Sequence, residues 1–394
     1  MRTLPEAAKL RRNWIASTGL TYAMATPHIT NFRYTCKDAG RIFNNAELGA
    51  EKIILVNTGS PDPNFLYVTG FTSGLFEYSY LILEKTKAKL LTSILEYDTA
   101  AAQKQKGLEI IKIEKSETLR EFLKKEVEGI RIGINGEFLP YNIYSALKER
   151  YNPASITDIS GALSKARLVK DEKEIANISK AASITKWALM LIQKEFKEGM
   201  TEAELASKFD SLCLSMGSQG ASFRTIVCFG KNAALPHHYP DDTKLKPGDL
   251  ILIDAGSLFN NYASDMTRTF LFNKEGIEPR DLAKIEEIIK VVKTAQVMAI
   301  RSIKPGMKGK EVDKIARDHI ESFDGGKYKG RFIHSLGHSL GLEVHDGPGF
   351  SPGEETVIKE GMVITVEPGI YINGFCGVRI EDDVLITKDG ASVL

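Results

Sequence analysis

The sequence predicts an α+β protein in two parts, a smaller α/β domain followed by a larger domain of two αα-ββ halves related by a pseudo-twofold. Two pairs of matching segments point to the larger domain. Gly248 to Gly256 and Gly361 to Gly369 are both apolar runs of strand length that end in a carboxylate, Asp254 or Glu367, beside a turn residue. Lys197-Glu198-Gly199-Met200 and Lys304-Pro305-Gly306-Met307 both terminate a long helical pattern, and each is followed at the same distance by a glutamate, Glu204 or Glu311, and an apolar residue. The third observation is an alternation of short β-type runs with helix-compatible stretches ahead of these repeats, which predicts the α/β domain.

In chain order, residues 1–48 show no periodicity and read as an N-terminal extension. Between Arg11 and Ala25 the chain mimics an export signal, but Ser17, Thr18, Gly19 and Thr21 make it too polar for one. Residues 49–160 form the expected α/β domain. Its strands are placed at Ile53 to Val56, Phe65 to Val68, Tyr80 to Leu83, Ile110 to Ile113 and Ile130 to Gly133, and its helices around 98–106, 116–127 and 142–150. With no phosphate-binding glycine loop and no dense set of ligand-type residues, it reads as a scaffold or lid. A linker is expected from Ile156 to Leu168. The larger domain, 166–394, opens with an amphipathic helix through Ile175, Ile178, Ala182, Thr185, Leu189, Ile192 and Phe196 that Gly199 ends. A second such helix runs through Leu282, Ile285, Ile289, Val292, Ala295, Ala299 and Ile303 and stops at Pro305-Gly306, so that a helix pair precedes each carboxylate strand.

A chain of 394 residues, 43% hydrophobic, has enough apolar mass for a core in each part. Its formal net charge of +1 gives no electrostatic reason to expect nucleic acid or a membrane surface as partner. No run approaches the roughly 20 apolar residues of a membrane span. The cysteines, Cys36, Cys213, Cys228 and Cys376, form no CxxC pair, which makes a reducing cytoplasm the expected setting.

The chemistry is carried by carboxylates. Asp265 follows the first acidic strand and Glu381 the second, each beside further apolar strand-like sequence, so four acids sit on or beside two hairpins. Carboxylates buried that close together repel, and burial without compensation costs several kcal/mol or forces protonation. Two divalent cations would neutralise them, and oxygen-rich ligation suits Mn²⁺, Co²⁺ or Zn²⁺. His334, His338 and His345 supply nitrogen donors within one short stretch. A rival lies in the same stretch, because Gly337-His338-Ser339-Leu340-Gly341 also spells a serine-hydrolase nucleophile elbow with Ser339 as nucleophile. That reading needs an acid and then a histidine well downstream, and His345 is the last histidine of the chain.

At these residues the chain resembles the pita-bread metallopeptidases, the group that holds methionine aminopeptidase, aminopeptidase P and prolidase. The resemblance covers about Ala166 to Leu394, and the 50–160 region resembles the creatinase/prolidase-like N-terminal domain of that family. It implies a C-terminal pita-bread domain whose metal ligands are Asp254, Asp265, His338, Glu367 and Glu381, holding two divalent ions, Mn²⁺ or Co²⁺ ahead of Zn²⁺. It further implies that Glu367 takes the proton of an attacking water, that His345 hydrogen-bonds the carbonyl oxygen or the tetrahedral intermediate, and that His237 of Pro236-His237 sits near the substrate backbone. His334 would line the same mouth. Arg379, two residues before Glu381 on a strand, would fix that ligand, and Thr267 would do the same for Asp265. All five ligands are present, which disfavours a non-catalytic binding relative.

The implied activity is hydrolysis of Xaa-Pro bonds by a prolidase-like dipeptidase, with a small peptide carrying proline after the scissile bond as substrate and a homodimer as the assembly. An aminopeptidase P-like enzyme is the alternative. Prolidase-like sequences often place an arginine four residues after the histidine equivalent to His345, and this chain has Gly349 there. Arg331, Arg268 or a residue of a second subunit would then have to supply the charge for a substrate carboxylate. His238 is expected at the surface, His319 and His28 in structural roles, and Asp346, Asp382 and Asp383 in solvated or supporting ones.

Overall fold

The computed structural model describes residues 41–43, 49–59 and 61–394. The extension expected over 1–48, with its export-like stretch, His28 and Cys36, lies outside the described residues apart from 41–43. The first part is a six-stranded mixed sheet in the order β4-β3-β2-β1-β5-β6. Its strands are β1 (Lys52–Val56), β2 (Tyr80–Leu83), β3 (Ala88–Ser93), β4 (Leu108–Ile113), β5 (Arg131–Ile134) and β6 (Ser155–Asp158). Along β1 the side chains alternate between two cores: Ile53 and Leu55 join Phe65, Phe71 and Phe76, while Ile54 and Val56 join Leu123, Val127 and Leu147. Helices α1 (Pro63–Thr69), α2 (Ile94–Ala102) and α5 (Ser160–Leu168) accordingly cover one face, and α3 (Ser116–Val127) and α4 (Tyr141–Tyr151) the other.

Here the structure departs from the sequence-based reading in four places. Phe65 to Val68, expected as a strand, is the body of α1: Asp62 accepts from the Asn64 N–H at 2.8 Å, Pro63 opens the first turn, and Gly70 closes the helix at φ 63°. These caps outweigh a short apolar run that carries no periodicity of its own. Strand β3 was not expected, because Lys89 interrupts its apolar pattern; its ammonium is held at 2.5 Å by Glu126. Helix α2 starts at Ile94 rather than near 98, directly out of β3, with Ile94 and Leu95 exposed. The supposed linker is β6 followed by α5. An edge strand that is mostly exposed needs no hydrophobic alternation, so nothing in its composition marked it.

The second part shows the duplication. Helices α6 (Glu172–Ile192) and α7 (Glu202–Ser215) pack on a sheet of β7 (Ile226–Phe229), β8 (Leu250–Ala255) and β11 (Met266–Leu271), with β9 (Leu258–Phe259) and β10 (Tyr262–Ala263) as a small hairpin between the last two. Helices α8 (Pro279–Ser302) and α9 (Gly309–Ser322) pack on β12 (Val363–Val366), β15 (Asp382–Thr387) and β16 (Gly390–Val393), with β13 (Gly369–Ile372) and β14 (Cys376–Arg379) as the inserted pair. The two Lys-x-Gly-Met turns are built alike. Gly199 (φ 81°) and Gly306 (φ 96°) adopt the left-handed conformation that glycine favours. Their N–H groups donate to Leu245 and Ile358 carbonyls at 2.8 and 2.9 Å, and Met200 and Met307 carbonyls accept from the same two residues. Glu204 and Glu311 then reach back to the N–H of Thr201 and Lys308 at 2.9 and 2.6 Å, capping α7 and α9 in the same manner.

Candidate metal centre

Strand register brings the four acids together. Antiparallel β8 and β11 pair Asp254 with Thr267, which leaves Asp265 just ahead of β11 on the hairpin return. Antiparallel β12 and β15 pair Val366 with Asp382, which places Glu367 just beyond β12 and Glu381 just ahead of β15. The halves then interlock: the Glu381 N–H donates to the Thr267 carbonyl at 3.1 Å, and the Asp265 N–H donates to the Asp383 carboxylate at 3.1 Å. His338 comes from a segment that runs beside β12. Its carbonyl accepts from the Thr365 N–H at 2.9 Å, and its own N–H donates to Thr365 Oγ1 at 3.0 Å. That approach is possible because position 337 is glycine; a Cβ there would sit 1.8 Å from the Thr365 carbonyl.

The resulting cluster is tight and largely buried. His338 Nε2 stands 3.5 Å from Asp265 Oδ2 and 3.4 Å from Glu367 Oε1, and ligand atoms of Asp265, His338 and Glu381 lie within 4.8 Å of one another. His338 Nδ1, 3.3 Å from the Ser339 carbonyl, is placed to donate there, which leaves the Nε2 lone pair aimed at the acids. Burial, and then the charges of Asp254 and Glu367, push the Asp265 carboxyl well above its ordinary range. Burial and the charge of Asp265 do the same to Glu381, and burial lifts Glu367 to about 7. Asp254 Oδ1, Asp265 Oδ1 and Glu381 Oε1 are buried with no hydrogen-bond partner. Asp254, Asp265 and Glu381 each keep one orphaned oxygen, and two of these acids share a donor group with the His338 imidazole, so the donor set fits hard or borderline divalent cations.

Arg379 and Thr267 reach across the pseudo-twofold rather than along their own strands. Arg379 Nη2 donates to Asp254 Oδ2 at 2.6 Å and its Nε to Thr267 Oγ1 at 2.9 Å, while Thr267 Oγ1 donates to Glu381 Oε2 at 2.6 Å. The expectation that Arg379 fixes Glu381 and Thr267 fixes Asp265 is therefore corrected. Each supports an acid of the opposite half: Arg379 ends β14 and Glu381 lies in the link before β15, Asp265 lies ahead of β11, and the Glu381 backbone is bonded to Thr267 of the facing half. Tyr371, which sequence reasoning missed, accepts from Arg379 Nη1 at 2.8 Å and donates to His334 Nε2 at 2.8 Å. His334 Nδ1 in turn donates to the Ser335 carbonyl at 2.8 Å, which fixes its tautomer. Tyr371 had no signal beyond its position two residues past the Pro-Gly turn that follows Glu367.

These groups sit at the base of a cleft of about 1260 Å³ lined also by His237, His345, Pro236, Phe223, Ile226, Leu235 and Val344. Burial, and next the Arg379 charge, hold His334 down to about 4, and burial with the neighbouring His338 lowers His345. His345 packs edge-on against His338 with ring centroids 4.2 Å apart. His238 is only partly exposed and is tied inward: its Nε2 bonds the fully buried Glu202 at 2.8 Å, and Glu202 also accepts from the Phe229 and Asp241 N–H groups and from Asn232. Both oxygens of Glu202 are thus taken up by protein donors. Asp346, Asp382 and Asp383 are buried, not solvated, and Ser339 is buried with its hydroxyl donated to the Pro348 carbonyl, so it presents no nucleophile. Arg268 is paired with Asp382 at 2.5 Å outside the cleft lining, as Arg331 also lies outside it. Gly349 cannot carry a side chain here, since a Cβ would meet the Gly337 carbonyl at 2.3 Å and His338 Cα at 2.4 Å.

Comparison with known proteins agrees with this geometry. Residues 176–388 match the model of metallopeptidase family M24, and residues 46–169 match the creatinase/prolidase N-terminal domain. The chain is 40% identical over 315 residues to the Xaa-Pro dipeptidase of Pyrococcus furiosus, covering 80% of this chain and 86% of that one. Among solved structures it resembles the prolidase from Pyrococcus furiosus (TM-score 0.78, 36% identity, 89% of this chain and 98% of that one). It also resembles the X-Pro aminopeptidase from Thermotoga maritima (TM-score 0.80, 29% identity, 90% and 97%). Family-model match, sequence identity and a shared fold place the chain in metallopeptidase family M24, with a creatinase/prolidase N-terminal domain ahead of its pita-bread domain.

Proposed function

We propose that this metallopeptidase hydrolyses Xaa-Pro bonds as a prolidase-like dipeptidase, with residues 49–160 as its N-terminal domain and 166–394 as its catalytic domain. The observation that carries the proposal is that Asp254, Asp265 and Glu381 each keep a buried, orphaned carboxylate oxygen in a cleft that they line together with His338 and further histidines. Asp254, Asp265, His338, Glu367 and Glu381 are its metal ligands, with two Mn²⁺ or Co²⁺ ions ahead of Zn²⁺. When bound, such ions act as Lewis acids and make a water a stronger nucleophile near neutral pH.

The chain's own groups do the rest. Glu367 receives the proton of the attacking water, a task suited to a carboxylate that lines the cleft with its Oε1 3.4 Å from His338 Nε2. His345, kept neutral by burial, donates a hydrogen bond to the carbonyl oxygen as charge grows on it. His237 holds the substrate backbone, and Phe223, Ile226, Leu235 and Val344 offer an apolar wall suited to a pyrrolidine ring. Arg379 and Tyr371 hold Asp254 and His334 in place. The named activity of the Pyrococcus relatives supports the dipeptidase reading. A homodimer and a cytoplasmic setting belong to the same proposal.

One observation favours an aminopeptidase P-like reading on longer substrates. Among the described residues lining the cleft, Arg379 is the one permanent cation, and its guanidinium is taken up by Asp254, Thr267 and Tyr371. Position 349 cannot supply another. Turnover of Xaa-Pro and of Xaa-Pro-Yaa-Zaa with Mn²⁺ or Co²⁺ decides between the two. Cleavage of the dipeptide with little turnover of the longer peptide supports the proposal, the reverse supports the second reading, and failure to cut either overturns both.

A further inference from the structure

Arg167 lies in the stretch expected to be a linker, next to the last residue of α5, and is 4% exposed. Each arm of its guanidinium is engaged: Nε donates to Asp346 Oδ1 at 2.9 Å, Nη2 to Glu343 Oε2 at 2.6 Å, and Nη1 to Asn64 Oδ1. Two of these partners bracket His345 in the 343–346 turn. The third belongs to α1 of the N-terminal domain, where Asn64 Nδ2 donates to Asp62 Oδ1 at 2.9 Å and Asn135, just past β5, donates to Asp62 Oδ2 at 3.0 Å. A continuous path of mostly buried polar contacts thus runs from the N-terminal sheet to the turn that carries His345.

The turn is held tightly from the other side as well. Asp346 is 2% exposed, its second oxygen meets Lys170 Nζ at 3.4 Å, and its N–H donates to the Ser339 carbonyl at 2.8 Å. That carbonyl is also the one facing His338 Nδ1. A Cβ at Gly341 would lie 2.0 Å from Asp346 Oδ2, so the backbone closes directly on the carboxylate. A planar fork that grips both ends of this four-residue segment fixes its orientation in a way a single ammonium does not. Resting on the role given to His345 above, we infer that Arg167 is a positioning residue through which the N-terminal domain sets the His345 imidazole over the cleft.

A double-mutant cycle on the metal-loaded full chain tests this. In Arg167→Gln, kcat for Xaa-Pro cleavage is expected to fall about 10- to 100-fold, with Mn²⁺ binding by calorimetry within about threefold of the parent, because the substitution displaces His345 without touching the acids. In a His345→Ala background the same change is expected to alter kcat by less than about twofold. The imidazole resonances of His345, identified by their loss in His345→Ala, are expected to shift in Arg167→Gln while those of His319 stay in place. An equal fall in both backgrounds, or a parental kcat in Arg167→Gln, overturns the inference. A fully active His345→Ala enzyme overturns instead the role assigned to His345, and the inference with it. Arg167→Lys, which keeps the charge and loses the fork, passes through the same cycle under the same criteria if Arg167→Gln does not fold.

Discussion

Stripping the metal should turn the acid cluster into a pH-dependent burden on the fold. In the metal-free protein Glu367 is lifted from an ordinary 4.5 to about 7, chiefly by burial. A carboxyl whose folded pKa lies above its unfolded one binds its proton more tightly when folded. Its stabilising contribution is therefore complete below about pH 4.5 and is lost as pH rises through about 7. A displacement of that size corresponds to roughly 3 kcal/mol for Glu367 alone, and Asp265 and Glu381, raised in the same direction, add to it. For a catalytic domain of this length the loss is on the order of 5–10 °C in Tm. Scanning calorimetry of the chelated and Mn²⁺-loaded protein at about pH 5 and about pH 7.5 reads it, since bound cations keep the acids ionised in the folded state and the gap between the two forms should widen with pH. Glu367→Gln removes the charge: it should abolish turnover, yet raise the Tm of the chelated protein at the higher pH. A gap that does not change with pH, or a chelated Glu367→Gln protein with the parental pH slope, refutes the reasoning.

Arg379→Gln leaves Asp254 buried and unpaired and frees Thr267 from its anchor; denaturant unfolding should show a loss of about 3–5 kcal/mol in the chelated protein, with weaker Mn²⁺ binding by calorimetry. Ser339→Ala should lose one hydrogen bond to the Pro348 carbonyl, about 1 kcal/mol, and keep kcat within about twofold; a collapse of kcat with the fold intact would restore the serine reading. Gly349→Ala forces a methyl against the Gly337 carbonyl and His338 Cα. It should therefore cost about 1–3 kcal/mol or more and lower metal affinity by displacing His338, measured by unfolding and by calorimetry.

The acid cluster was legible because its two halves repeat a pattern that no solvent-facing hairpin needs, an apolar strand ended by a carboxylate. The Lys-x-Gly-Met turns were legible for a similar reason, since a left-handed glycine followed by a reciprocal glutamate cap is a local device written within a few residues. Local rules also misled: Phe65 to Val68 has strand composition, and the caps at Asp62 and Gly70, read at the same scale, point to a helix. Strand β6 escaped because an exposed edge strand carries no hydrophobic period.

What the sequence determined on its own is which residue types must be neutralised together: four carboxylates on paired hairpins with a histidine-rich segment leave few chemical solutions other than bound cations. Which neighbour serves which acid was decided only in three dimensions. Arg379 holds Asp254 and Thr267 holds Glu381 across the pseudo-twofold, and Arg167 of the presumed linker grips the turn of His345. Spacing along a chain encodes contacts within a helix or a hairpin, whereas contacts between halves depend on how two sheets dock. That docking is set by the summed burial of both cores rather than by any short motif.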